Sequence, residues 1–479
     1  MSATRKAYRA AILHSIADPA EVGLEASCEY YEDGLLVVDG GRISALGHAS
    51  ELLPTLDADI PVQHYQDALI TPGFIDTHIH FPQTGMIGSY GEQLLDWLNT
   101  YTFPCEKQFA DKAHADQVAK IFLAELLRNG TTTALVFGSV HPESVNALFE
   151  EAERLDLRMI AGKVMMDRNA PDYLTDTAES SYRDSKMLIE RWHGKGRLHY
   201  AVTPRFAPTS TPEQLSVAGQ LLKEHPGVYM HTHLSENLKE IDWVKELFPE
   251  QKGYLDVYDH FELLGERSVF AHGVHLCDDE CQRLAETGSA IAFCPTSNLF
   301  LGSGLFNLPQ AERFKVNVGL GTDVGAGTSF SLLNTLNEAY KVMQLQGARL
   351  HPYKSLYLAT LGGARACAWT TASAACARAM TPTSWCSTTR PPRCWTTVCS
   401  SRKASRRPCS CSPPWATTAP CVKPTPPGVA CTSAKAVSPT LGTVRRRSLP
   451  RSAAPARTTT AAAAPSHPRT RPALCCVPG

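Results

Sequence analysis

The sequence predicts an α/β fold: a (β/α)₈ TIM-like barrel with a small β-sandwich domain, incomplete here, and an irregular C-terminal tail. Three observations predict it. Eight apolar, strand-like runs recur between residues 70 and 321, most of them separated by helical stretches. A hairpin-like segment precedes them, and the composition changes abruptly after residue 365.

The hairpin lies in the stretch Gly34 to Gly47, where two short strands flank Asp39-Gly40, a dipeptide that tolerates positive φ. Residues 1–70 are therefore expected to form the N-terminal part of a small β domain. The barrel is expected over 71–365. Its strand candidates are Ile70–His80, Thr133–Phe137, Arg158–Met166, His199–Phe206, Val228–Leu234, Ser268–Val274, Ala290–Cys294 and Val316–Gly321. Between them, residues 113–128 read as a helix, with Val118, Ile121, Phe122 and Leu126 at helical spacing and Asn129-Gly130 as the stop. An open doubly wound sheet is the alternative architecture. No Gly-x-Gly-x-x-Gly follows an early strand, which counts against its nucleotide-binding form.

Residues 366–479 contain no Asp, Glu, Asn, Gln, Ile, Phe or Tyr, yet hold eleven of the sixteen cysteines. Such a stretch cannot bury enough apolar surface to offset its ordering entropy. Disordered tails rarely carry so many cysteines, so we read it as a frameshift product beginning near Ala366, against the alternative of a natural basic tail. No strand able to complete the small β domain is expected in it.

The net charge of −1 hides a split. Residues 1–365 carry 30 Lys+Arg against 47 Asp+Glu, a balance of −17. An acidic body argues against nucleic acid as a partner. Five scattered cysteines before residue 366 read as free thiols in a reducing compartment. The apolar stretch at Ala10–Leu13 is too short for a signal sequence, and no run is long enough to span a bilayer. A cytoplasmic protein without a membrane partner is the expectation.

Four motifs carry the chemistry. In Thr71-Pro-Gly-Phe-Ile-Asp-Thr-His78-Ile-His80, the two histidines lie two apart on a strand and share one face, so both can bind one metal ion. Alone, such a pair is more often a chance surface pair. His231-Thr-His233-Leu-Ser-Glu236 ends the fifth strand candidate. Either histidine can ligate, His233 being nearer the strand's end. Glu236 is a candidate proton carrier, or else a solvated helix-start glutamate. His272 follows an apolar run on strand six and, by itself, reads as structural; His275 nearby has no argued role. Asp323 ends Gly319-Leu-Gly-Thr-Asp after strand eight, where it is a ligand candidate or a helix cap. Strands one, five, six and eight thus deliver metal-compatible or proton-carrying groups to one end. Three nitrogens, a carboxylate and a water make an open catalytic zinc site rather than a closed structural one.

Taken together, these motifs resemble the amidohydrolase superfamily. Within it the chain is similar to the guanine deaminases over about residues 30–365, through His80-Phe-Pro-Gln83, Leu95 to Glu106, Pro204-Arg205-Phe206-Ala-Pro, His233-Leu-Ser-Glu-Asn237 and Cys294-Pro-Thr-Ser-Asn298. The resemblance implies one zinc ion per chain held by His78, His80, His233 and Asp323. It implies that Glu236 shuttles protons and that Asp323 shares that task. It implies that His272 orients the attacking water, and that Gln83, Arg205 and Phe206 hold a purine. The residue types agree: an amide offers donor and acceptor to a purine edge, a guanidinium donates to a carbonyl, and a phenyl ring stacks. Arg205 as a rim salt bridge and Phe206 as a core aromatic are the alternatives. The strand-four end, Thr203-Pro-Arg205-Phe206, lacks the lysine that binuclear members of the superfamily modify, which favours a single metal.

The implied reaction is guanine plus water giving xanthine and ammonia. Relatives acting on cytosine, adenosine-type or triazine rings, and a non-catalytic metal-binding or assembly protein, are the rival readings. A homodimer is admitted. A different zinc deaminase class, with His-x-Glu and Pro-Cys-x-x-Cys, is excluded: His141-Pro-Glu143 matches the first half by chance and the second is absent. Cys277 and Cys281 read as helix positions.

Overall fold

The structure is a computed structural model that describes residues 5–90 and 94–369, together with the backbone of 385–389 and 421–422. All of these belong to one compact unit, residues 1–429. The remaining residues of the expected tail, and with them the frameshift reading, lie outside the described residues.

A small mixed sheet comes first. Its strands are β1 (Lys6–Ser15), β2 (Cys28–Asp39), β3 (Arg42–His48) and β4 (Val62–Pro72), in the order β4-β1-β2-β3. β1 runs parallel to β4 and antiparallel to β2. Alternation along β2 sorts its side chains: Leu35 and Val37 pack with Ala7 and Ala49, while Leu36 packs with Ile12, Ile43 and Ile70. The hairpin turn falls one residue later than expected. Asp39 pairs with Arg42, and Gly40 and Gly41 take the positive φ values (+54° and +78°) that a two-residue turn requires.

Two expectations about this sheet are corrected. The run Ile70–His80 is two strands: it breaks at Gly73, with β4 in the small sheet and β5 (Phe74–His80) in the barrel. The chain beyond residue 366 also joins the sheet. Trp385–Thr389 pairs antiparallel with β4, Trp385 opposite Pro72, and in turn with Cys421–Val422. Backbone hydrogen bonding needs no alternating apolar pattern, so composition alone did not reveal these strands. Among the described residues the domain is one six-stranded sheet.

The barrel follows. After β5 come β6 (Thr131–Phe137), β7 (Arg158–Gly162), a two-residue strand β8 (Val164–Met165), β9 (Leu198–Pro204), β10 (Tyr229–Leu234), β11 (Ser268–His272), β12 (Ala290–Phe293) and β13 (Asn317–Leu320). Apart from β8, which pairs beside β9, they form a parallel series in chain order. All eight strand candidates are present. The ring closes where Asp323 N donates to His78 O (2.9 Å) and His80 N donates to Val324 O (2.8 Å). The helix expected at 113–128 spans Lys112–Arg128, with Asn129 as its cap, but Ile121 faces away from the core at 55 % exposure. The buried stripe is Ala115, Ala119, Phe122, Leu123 and Leu126.

Just after β13 a glycine serves close approach. A Cβ on Gly321 would lie 2.8 Å from Cys294 Sγ and 3.0 Å from His78 Cβ, so only glycine lets this segment sit against β5. The barrel's far end is plugged by Ala366 and Cys367, packed with Tyr229 and Ala290, the first residues of their strands. Tyr229 Oη donates to Cys367 O at 3.1 Å. Packing with the barrel thus continues past the expected boundary at 365, as far as Trp369. No described helix is long and apolar enough to cross a membrane.

Candidate active site

Parallel strands place their C-terminal residues at one end, and there the expected site residues converge. His78 and His80 end β5, His233 lies in β10, and His272 ends β11; Asp323 follows β13 and Glu236 follows β10. Three non-glycine residues at these ends have left-handed backbone: Ser235 (φ +47°), His272 (+74°) and Asp323 (+50°). Each such conformation costs of order 1 kcal/mol, and strain of this kind clusters at functional sites.

His78 Nε2 lies 3.2 Å from His80 Nε2, and His80 Nε2 lies 3.3 Å from His233 Nε2. Asp323 Oδ1 lies 3.2 Å from His78 Nε2 and 3.3 Å from His80 Nε2. Ligand atoms about 2.0–2.1 Å from a tetrahedral ion are separated by about 3.3 Å, so the His78, His80 and Asp323 donors fit a divalent metal such as zinc, with His233 beside them through its approach to His80. His272 stands at the edge of the same cluster, its ligand atom near those of His78 and His233.

Hydrogen bonds aim the rings. Arg205 O accepts from His233 Nδ1 at 2.7 Å, which leaves Nε2 as the lone-pair nitrogen. His78 Nδ1 lies 2.8 Å from His231 Nε2. Of the two histidines left open in β10, His233 therefore faces the cluster and His231 stands behind His78. Burial lowers His80 to about 4 and depresses His231 and His233 well below the usual histidine range, so these rings are neutral, the form in which an imidazole can ligate a metal. For Asp323, burial acts upward, but its contacts with His78 and His80 outweigh it and hold the carboxylate well below the usual range.

Glu236 is not a solvated glutamate: it is 3 % exposed and precedes the helix Leu238–Leu247. Burial, and then the Asp323 charge, push it up to about 8 against a hydrogen bond from Ser303 Oγ at 2.9 Å. His272 Nε2 lies 3.5 Å from Glu236 Oε2 and 3.8 Å from Asp323 Oδ2, and its Nδ1 is 2.8 Å from Asn298 Oδ1. Asp323 caps no helix; the next one, Leu332–Leu345, begins after Ser331.

A cavity opens beside these groups. Gln83, Arg205 and Phe206 line it, with Leu94, Trp97, Leu98 and Leu301 as apolar wall. Arg205 does form a salt bridge, but a buried one, with Glu106. Phe206 is both a member of a buried apolar cluster and part of the wall.

The chain's similarities agree with this arrangement. Residues 69–373 match the amidohydrolase family model. The chain belongs to the amidohydrolase family. This amidohydrolase is 58 % identical over 365 residues to guanine deaminase of Escherichia coli (strain K12), covering 76 % of this chain and 83 % of that one. Its fold superposes on guanine deaminase from Bradyrhizobium japonicum with a TM-score of 0.79, at 38 % identity, covering 83 % and 91 % of the two chains. It also superposes on guanine deaminase from C. acetobutylicum, solved with guanine in its active site, with a TM-score of 0.74 at 27 % identity, covering 80 % and 90 %.

Several buried polar residues of this amidohydrolase escaped the sequence reading. Glu106, Asn298 and Ser303 hold Arg205, His272 and Glu236 respectively. Glu106 and Asn298 end two of the stretches that carry the family resemblance, but nothing in their own spacing marks them. Glu240 lines the cavity and accepts from Glu236 N (3.0 Å), Asn237 N (3.1 Å) and Tyr254 Oη (2.7 Å). Its signal was readable: Asn237-x-x-Glu240 is a capping-box pattern. Asp76 ties β5 to the segment after β13 by accepting from Thr322 N (3.0 Å) and Thr322 Oγ1 (2.5 Å). His275 Nε2 donates to Ser303 O at 2.9 Å, which gives that histidine a structural place.

Proposed function

We propose that this chain catalyses the hydrolytic deamination of guanine to xanthine and ammonia, with one zinc ion per chain held by His78, His80, His233 and Asp323. The observation that carries the reading is the opening of the His78, His80 and Asp323 donors, with His233 beside His80, onto a cavity lined by Gln83, Arg205 and Phe206. The similarity to guanine deaminases supports the substrate. Bound there, zinc supplies Lewis-acid activation that brings the pKa of a water from about 15.7 to about 7.

The chain's own groups do the rest. Phe206 and the apolar wall take the flat ring. Gln83 and Arg205 meet its polar edge, the guanidinium donating to the ring carbonyl. His272, its Nδ1 held by Asn298, turns Nε2 toward the attacking water. Glu236 takes a proton from that water, with Asp323 beside it, and delivers it to a ring nitrogen as oxygen adds to C2. The remaining proton of the added water passes to the amine, the C2–N bond breaks, and ammonia leaves as the C2 carbonyl forms. Burial raises the Glu236 carboxyl above the usual carboxylate range, which suits a group that must both accept and release a proton. The reading places the enzyme in the cytoplasm, with a small purine as its ligand, no nucleic-acid partner, and a homodimer admitted.

Ammonia release from guanine by the purified chain, with zinc and with a chelated control, tests the proposal. Metal-dependent release with xanthine as product supports it. Release from cytosine, an adenosine-type nucleoside or a triazine instead would move the substrate assignment. Zinc uptake without turnover of any of them would favour the non-catalytic reading.

A further inference from the structure

Glu106 is fully buried and has no part in the proton transfers described above. A buried carboxylate is costly unless paired and fully hydrogen-bonded. Its Oε2 accepts from Arg205 Nη1 at 2.8 Å, and its Oε1 accepts both Arg205 Nη2 and Gln83 Nε2 at 3.1 Å. The amide of Gln83 is gripped at its other end as well, where Oε1 accepts from Gly325 N at 3.1 Å. The Arg205 guanidinium lies over the Phe103 ring, 5.4 Å from its centroid.

Two consequences follow from this geometry. The Gln83 amide cannot flip, because its nitrogen faces a carboxylate and its oxygen faces an N–H. The pattern it offers the cavity is therefore single. The Arg205 charge is neutralised on the spot, so this end of the cavity offers directed N–H donors without a net positive charge.

We propose that Glu106 is a positioning residue that sets the specificity of the purine site: it orients Gln83 and Arg205 together and makes the site select a neutral lactam ring over an anionic one. The inference rests on the guanine reading of the cavity. In Glu106→Gln an amide N–H must face a donor of Arg205 or Gln83, and the guanidinium keeps its charge. In Glu106→Asp the charge remains, but the shorter side chain cannot serve both partners.

The experiment uses the full zinc-loaded chain, with metal content and circular dichroism checked for each variant. It measures kcat and KM for guanine and the inhibition constant of urate, an anionic purine at neutral pH. Glu106→Gln is expected to raise KM for guanine by about 10–100-fold, with kcat falling much less, and to leave urate inhibition equal or stronger. Glu106→Asp is expected to raise KM without strengthening urate, and it carries the test if Glu106→Gln does not fold. An active wild type whose variants keep KM and the guanine-to-urate ratio overturns this inference alone. A folded, zinc-loaded wild type that releases no ammonia from guanine overturns the guanine reading and the inference with it.

Discussion

His231 Nε2 lies 2.8 Å from Nδ1 of His78, on the side of that ring away from the cluster. His231 and His233 are two apart in one strand, yet only His233 presents a nitrogen to the cluster of ligand atoms. Partners behind a metal-binding histidine fix its ring and its basicity, and their loss typically costs about 10–100-fold in metal affinity. His231→Ala is expected to weaken zinc binding by that factor while the chain stays folded. Competition against a chelator measures it; an unchanged affinity would remove His231 from the site.

Glu236→Gln keeps the shape and the Ser303 contact but cannot carry a proton. Zinc content and folding are expected to persist while kcat falls by about 10²–10⁴-fold. Turnover near wild type would exclude Glu236 as the shuttle.

Removal of the metal is expected to abolish ammonia release, and zinc to restore it at one ion per chain. Elemental analysis against protein concentration gives the ratio. Two ions per active chain would contradict the single-metal reading of the strand-four end.

Glu240 offers a test by pH. Burial raises it from 4.5 to about 7. The folded state therefore binds more protons than the unfolded state between those values, so stability falls as pH rises through that window and levels above it. The contribution is on the order of 3 kcal/mol at full ionisation. In Glu240→Gln the amide oxygen accepts the two backbone N–H groups and its nitrogen faces Tyr254. The melting temperature of the variant is expected to gain on wild type from pH 5 to pH 7, then run parallel. Parallel curves throughout would mean that Glu240 does not titrate there.

Much of the site was readable because it sits on strand ends. A β-strand's period of two places His78 and His80 on one face, and a parallel barrel brings every strand's C-terminal residues together, so four sequence-distant motifs point to one centre. Glu106 and Ser303 had no such periodicity. They come from loops and short helical turns between strands, and what they hold depends on how those segments fold back over the barrel mouth.

The sequence by itself determined the eight-strand order, the family and the donor types, since these follow from local pattern and residue chemistry. Tertiary structure alone decided which β10 histidine faces the cluster, that Arg205 is paired with a buried glutamate, and that residues 385–389 add a strand to the small sheet. Each of those facts is a meeting of residues far apart in the chain. Such meetings are fixed by packing and backbone pairing across space, which no local stretch of sequence records.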